Sequence, residues 1–478
     1  MTNSGIRVIL KPDDNTFNVP KAKYTILLSA QSLPPVPLTR LLCGLAFKTL
    51  KDDLNELVYD AELAGLNYSF SYSNTNLPFI KISVSGYTEK LVQFLEFLLS
   101  YIKDYKINEG RFEAIREKTY RSYVDWKNAV SGSHARYYLN LERGEFDKLL
   151  SYEIMESVFE KNADEVNVEN TQTLFEKRIN RDNFAIEVVA CGSLDLPKVE
   201  KSLVGLVENW LGAANTRIIE KSEIPSEKIR VLSESGPFRI VNKNTVQPNG
   251  AIVVYHELGV NKIEKLLPAQ LLVQMLKSVC FDHLRTKLQL GYSTSCYLDV
   301  IGNTHGISVR IQSSKHPKQL EYEVWNWWFK VVKPYMVGIC RDGGKSEKFD
   351  KFLESFVEKI LTKPKNLSAD SSDVITEVMK NRYNFEYAEE KAEWCRKKLN
   401  RELVYEFFER EIIRSKKVMI SQVLGKDMEN EYSLNEDNGC SELLKIMENT
   451  KDCVEVTGEF YEETLADARK LKKIGILN

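Results

Sequence analysis

An arginine and a tyrosine seven positions apart, Arg285 and Tyr292, carry the most specific chemistry in this 478-residue sequence. A guanidinium presents a planar fork of five N–H donors that suits a carboxylate or a peptide backbone. A phenol can donate to an oxyanion as it develops. Both lie in the run Phe281-Asp282-His283-Leu284-Arg285-Thr286-Lys287-Leu288-Gln289-Leu290-Gly291-Tyr292. Leu284, Leu288 and Leu290 are apolar while Arg285 and Lys287 face away, so the spacing predicts a helix that stops at Gly291 and turns into a strand at Tyr292. The residue types alone also fit a solvated helical arginine and a half-buried strand tyrosine.

Other chemistry is harder to find. The five histidines, at 134, 256, 283, 305 and 316, include no H-E-x-x-H or H-x-x-E-H pair. His256-Glu257 is the nearest fragment and reads as the end of a strand. Cys280 and His283 share a helix face, but two ligands do not make a zinc site, and they read as a packed thiol beside a surface imidazole. Nucleotide-binding glycine motifs and G-x-S-x-G are absent. Among Trp325, Trp327, Trp328 and Phe329, Trp325 and Trp328 share one face and belong in a core, which leaves the others as a candidate partner surface.

The composition sets the class. Lys and Arg number 66 against 68 Asp and Glu, for a net charge of -2, so nothing favours nucleic acid or an anionic membrane as a partner. The N-terminus is interrupted by charge too early for a signal peptide, and no apolar run reaches about eighteen residues, so a soluble chain is expected. Eight scattered cysteines without a C-x-x-C pair read as free thiols of a reducing compartment, hence a cytoplasmic protein.

Elements that would position the pair recur in order. Tyr24 begins a strand, residues 38–64 are apolar at helical spacing up to Gly65, and two alternating runs split by Asn74, Thr75 and Asn76 form a hairpin. Strand 251–255, helix 265–290, Gly291 and the runs from Tyr292 and Ile307 repeat that sequence of elements. The helix headed by Arg111-Phe112-Glu113 is answered by one headed by Lys348-Phe349-Asp350. The strand around Ile186 is answered by Val418 onward. An α+β protein follows, with two homologous αβ domains, each a mostly antiparallel sheet with helices packed on one side. The expected domains are 1–218 and 237–478, with a polar linker at 219–236.

Asp13-Asp14, Pro20-Lys21-Ala22, Leu50-Lys51-Asp52, Ala61-Glu62-Leu63-Ala64-Gly65-Leu66, Arg111-Phe112, Leu284-Arg285-Thr286-Lys287 with Gln289-Leu290-Gly291-Tyr292, and Ile311-Gln312-Ser313 resemble the C-terminal half of the insulin-degrading (insulysin) branch of the pitrilysin-like zinc peptidases. The likeness runs from about residue 8 to 430, and the Leu-Arg-Thr-Lys to Gly-Tyr run is its most specific part. It implies the third and fourth of four homologous domains, which close around a peptide chamber. The family's zinc motif lies in its first domain and does not occur in this sequence.

What the resemblance implies for this chain is a catalytic role in trans for Tyr292, toward the scissile carbonyl, and for Arg285, toward substrate backbone, with Phe281 as an apolar wall. No metal or other cofactor is expected in the chain itself, since zinc would sit in a complementary zinc-bearing N-terminal half. The expected partners are that half and a peptide substrate, with self-association left open. Leu288 departs from the family, which usually has an acidic or amide residue there, and the 340–347 loop also departs from it. The chain is thus expected to be inactive alone. A scaffold or binding subunit with the same fold, and a fragment of a longer active peptidase, are the competing readings.

Overall fold

The computed structural model describes residues 5–30, 36–73, 79–144, 151–180, 184–212, 221–223, 229–232, 237–341, 346–415, 417–429, 451–452 and 474–477. Alternating and fully apolar runs become strands as the side-chain period dictates. In the first part of the chain these are β1 (Arg7–Pro12), β2 (Lys21–Ala30), β3 (Asn67–Ser73), β4 (Phe79–Tyr87) and β5 (Phe184–Gly192). They form a sheet of order β1-β5-β2-β4-β3, antiparallel except for the β1–β5 pair. The expected turn at Asn74, Thr75 and Asn76 lies outside the described residues.

The second part supplies β6 (Ile229–Leu232), β7 (Phe238–Lys243), β8 (Gly250–Val260), β9 (Ser293–Ile301), β10 (Thr304–Ser313), β11 (Val418–Leu424), β12 (Lys451–Asp452) and β13 (Ile474–Leu477). Within its sheet, β7-β11-β8-β10-β9 repeats the first order position for position, including the one parallel pair at β7–β11. β12 extends the β7 edge, and β6 pairs with β13 separately.

Each sheet packs one face against a thick helical layer. In the first unit Leu41, Leu45, Leu50 and Leu54 of the helix Pro37–Leu57, and Leu91, Leu95 and Leu98 of Thr88–Lys103, bury against Ile26, Ile82 and Val188. In the second unit Leu267, Leu271 and Leu276 of the helix Ile263–Cys280 meet Ile252, Ile307 and Ile420. Trp325, Trp327 and Trp328 are all buried in that core. The sequence reading left Trp327 free for a partner surface. It is packed instead, because Trp327–Val332 is a π-helical segment whose wider turn brings consecutive residues inward. His256 sits inside β8 rather than at its end, between the rings of Trp325 and Trp328 at 5.7 and 5.4 Å.

Among the described residues, the opposite face of each sheet carries one helix, and that helix comes from the other part of the chain. The first compact unit comprises Met1–Val124, Asp147–Glu227 and Lys363–Phe385, and the second comprises Asp125–Phe146, Lys228–Thr362 and Glu386–Asn478. The helix Leu367–Met379 thus places Val374, Ile375 and Val378 on Leu27, Val189 and Cys191 of the first sheet. In turn, Ser131–Arg143 places Ala135 and Leu139 on Phe238, Ile240, Val253 and Met419 of the second. One break at 219–236 therefore does not describe these units. β6 lies within that stretch, and the swapped helices find their apolar complement on the sheet that follows or precedes their own.

Candidate functional site

The α-helix Ile263–Cys280 does not run on to Leu290 as its apolar spacing predicts. From Phe281 to Lys287 the backbone widens to π-helical turns. Leu288 N–H donates to the His283 carbonyl at 3.0 Å, and Leu290 N–H reaches back six residues to Leu284 at 3.1 Å. Gln289 adopts a left-handed φ of 49°, and Gly291 follows before β9 starts at Ser293. Leu284 and Leu290 are buried, and Leu288 packs partly against the same core, so these leucines pin the segment from below. π-Turns of this kind cluster at functional sites because they re-aim side chains that an α-helix would space regularly.

The three side chains singled out in the sequence come together on this pinned segment. The Arg285 guanidinium lies over the Phe281 ring at 4.6 Å and over the Tyr292 ring at 5.6 Å. Such stacking is worth about 0.5–1 kcal/mol at an exposed site, enough to bias a rotamer without consuming the N–H donors. Phe281 is 49% exposed and Tyr292 93% exposed. Asp282, the nearest acid in sequence, is paired with Lys287 at 2.8 Å. Among the described residues no carboxylate pairs with Arg285. The result is a cation with open donors, held between two aromatic faces beside a fully solvated phenol.

The surroundings are less reactive. Burial pushes the Cys280 thiol up to about 12 and holds the His283 imidazole below its usual value. A thiol so raised stays protonated and inert. Among the described residues no group of three or more His, Cys, Asp or Glu converges to hold a metal. No helix among the described residues is long and apolar enough to cross a membrane.

Sequence reading missed the π-turns and the left-handed Gln289, since both depend on backbone hydrogen bonds to carbonyls five and six residues back rather than on side-chain periodicity. It named Gln312 only within Ile311-Gln312-Ser313 and gave it no role, although its carbonyl oxygen would lie 2.1 Å from a Cβ at position 291. The signal available was the run Gln289-Leu-Gly-Tyr itself, with a glycine where two backbones cross.

With this geometry in place, comparison with known proteins is informative. Residues 2–145 match the family model described as the middle or third domain of peptidase M16, and residues 271–375 match the C-terminal lobe domain 4 of PQQ synthase PqqF-like proteins. The chain is 27% identical to the insulin-degrading enzyme of Drosophila melanogaster over 387 residues, covering 80% of this chain and 37% of that protein. Its fold matches a pitrilysin crystal structure with a TM-score of 0.77 at 16% identity, over 100% of this chain and 46% of that one. A peptidase M16 inactive domain from Pseudomonas fluorescens matches with a TM-score of 0.62 at 11% identity, covering 90% of this chain and 98% of that one. The α+β fold and these matches make the chain similar in fold and sequence to peptidase M16 proteins. Within that family its similarity is to the C-terminal, insulysin-like part, and it spans about a third of the length of the curated relatives it matches.

Proposed function

We propose that this chain is the noncatalytic half of an insulysin-like zinc metalloendopeptidase. It closes a peptide chamber and lends Arg285, Tyr292 and Phe281 to a complementary, zinc-bearing N-terminal half. The observation that carries this reading is the solvated Tyr292 phenol beside an Arg285 fork that no carboxylate among the described residues occupies. A buried scaffold surface has no physical need for either.

On this reading Arg285 donates to the carbonyls of an extended peptide, with its plane held by the Phe281 ring. Tyr292 donates to the former carbonyl oxygen as negative charge develops there, a role for which a preorganised donor outside water counts most. Phe281 offers an apolar wall to a substrate side chain. The zinc and its ligands belong to the complementary half, and where both halves form one polypeptide the same residues act in cis. The recurrence of one strand order supports two homologous domains. Six free thiols among the described residues support a reducing, cytoplasmic setting.

The test is reconstitution with a complementary half and a quenched-fluorescence peptide. Tyr292→Phe is expected to lower kcat by about ten- to a thousand-fold with KM changed much less, the range for losing one oxyanion donor. Arg285→Ala is expected to raise KM as well, because it holds substrate in ground and transition states alike. The chain alone is expected to bind no stoichiometric zinc and to cleave nothing. One tightly bound zinc per chain with chelator-sensitive turnover would overturn the division of labour. A second reading, a binding subunit without a role in proteolysis, draws support from the likeness to an inactive M16 domain. Wild-type kinetics from Tyr292→Phe in an active mixture would favour it.

A further inference from the structure

We infer that Gln312 is a positioning residue for Tyr292, and that it works by tying the Gly291 turn to the swapped helix Ser131–Arg143. The inference rests on the reading of Tyr292 given above. Gln312 stands on β10 opposite Ser293, the residue that follows Tyr292. Its backbone carbonyl faces Gly291 so closely that any Cβ there would fall 2.1 Å from the oxygen. Its side chain points to a different element: Gly132 N–H donates to Gln312 Oε1 at 3.0 Å. A Cβ at Gly132 would lie 2.9 Å from that same Oε1. One residue thus sits between two glycines, each admitting a different part of it.

The helix needs this contact. Its N-cap is Val130, whose side chain has no oxygen for the unpaired N–H groups of the first turn. Gln312 supplies the missing acceptor from a strand 180 residues away in sequence. Ser131 Oγ donates to the Asn249 carbonyl at 2.5 Å and fixes the same end to the start of β8. The helix also grips β9 further along, with the Arg136 guanidinium 5.9 Å from the Tyr297 ring and Arg143 paired with Asp299 at 3.0 Å. The β9–β10 hairpin that presents Tyr292 at its base is therefore braced along its length, and Gln312 is the brace nearest the phenol.

Gln312→Met keeps the side-chain length and removes the acceptor, while Gln312→Glu keeps an oxygen that suits a helix N-terminus. Hydrogen exchange on the isolated chain is the first readout. Gln312→Met is expected to speed exchange about tenfold or more in peptides 130–136 and 288–296, the loss expected for one part-buried hydrogen bond, with Gln312→Glu close to wild type. In the reconstituted enzyme Gln312→Met is expected to lower kcat by about ten- to a hundred-fold with little change in KM, and Gln312→Glu to restore it. Gly132→Ala approaches the same oxygen from the helix side and must give the same pattern, which keeps the test valid if Gln312→Met folds poorly. Faster exchange confined to 130–136, with 288–296 and kcat unchanged, would overturn the coupling. A silent Tyr292→Phe would instead remove the functional reading and leave the exchange result to decide the coupling on its own.

Discussion

At the scale of single residues, Gly291 decides where the phenol points. The carbonyl of Gln312 occupies the space a side chain would need, so Gly291→Ala must push the turn off β10. The expected cost is about 1–3 kcal/mol of stability, as for other overpacked sites, measured by urea unfolding. In the reconstituted enzyme both Arg285 and Tyr292 should lose their places, so KM rises as kcat falls. His256 makes a different kind of prediction. It is fully buried, neither ring nitrogen has a hydrogen-bond partner among the described residues, and burial pushes its pKa down to about 3 from 6.5. Between those values the unfolded chain binds the proton and the folded chain does not. Stability from this group is therefore complete above pH 6.5 and falls as the pH drops toward 3, by about 1.4 kcal/mol per pH unit. Denaturant unfolding between pH 6 and 4 should show at least that slope. His256→Leu should flatten it in part, since His305, pushed down to about 4 mainly by burial, contributes in the same direction.

Among secondary-structure elements, the swapped helix Ser131–Arg143 ends in a buried ion pair. Arg143 and Asp299 meet at 3.0 Å with both side chains almost wholly buried. Ser308 Oγ donates to the other Asp299 oxygen at 3.0 Å, and the guanidinium stacks 3.8 Å over Tyr255. Removing one partner leaves the other charge buried. Arg143→Met should destabilise the second unit by about 3–5 kcal/mol, and adding Asp299→Leu should recover much of the loss. Urea unfolding followed by tryptophan fluorescence would report both, because Trp325, Trp327 and Trp328 lie in that unit's core. Much of this architecture was legible in the sequence. Alternation marked β3, β4, β9 and β10, and the order of apolar runs anticipated that the second sheet repeats the first. The placing of Ser131–Arg143 and Leu367–Met379 was not legible. An amphipathic pattern says that a helix buries one face and leaves open which sheet receives it. Arg285, Phe281 and Tyr292 were readable as residues, but their stacking follows from π-turns that no side-chain period encodes.

For the whole molecule, the two compact units cannot be separated by cutting the chain once. A fragment 1–218 lacks Leu367–Met379, so Leu27, Val189 and Cys191 lose their cover, and a fragment 237–478 lacks the helix that shields Phe238, Ile240 and Met419. Expressed singly, each is expected to aggregate or to bind a dye for exposed apolar surface. Expressed together, they should copurify as a one-to-one pair. Soluble, monomeric fragments with full secondary structure would contradict the packing described here.

The same threading sets a timetable for synthesis. β5 leaves the ribosome with its outer face ready to pack, yet the helix that covers it is encoded far downstream, at Leu367–Met379. At roughly 5–20 residues per second, that face waits about ten to forty seconds in a nascent chain. The segment up to β5 is thus born with an adhesive surface, and its safe arrival depends on whatever shelters that surface until Leu367–Met379 has been translated.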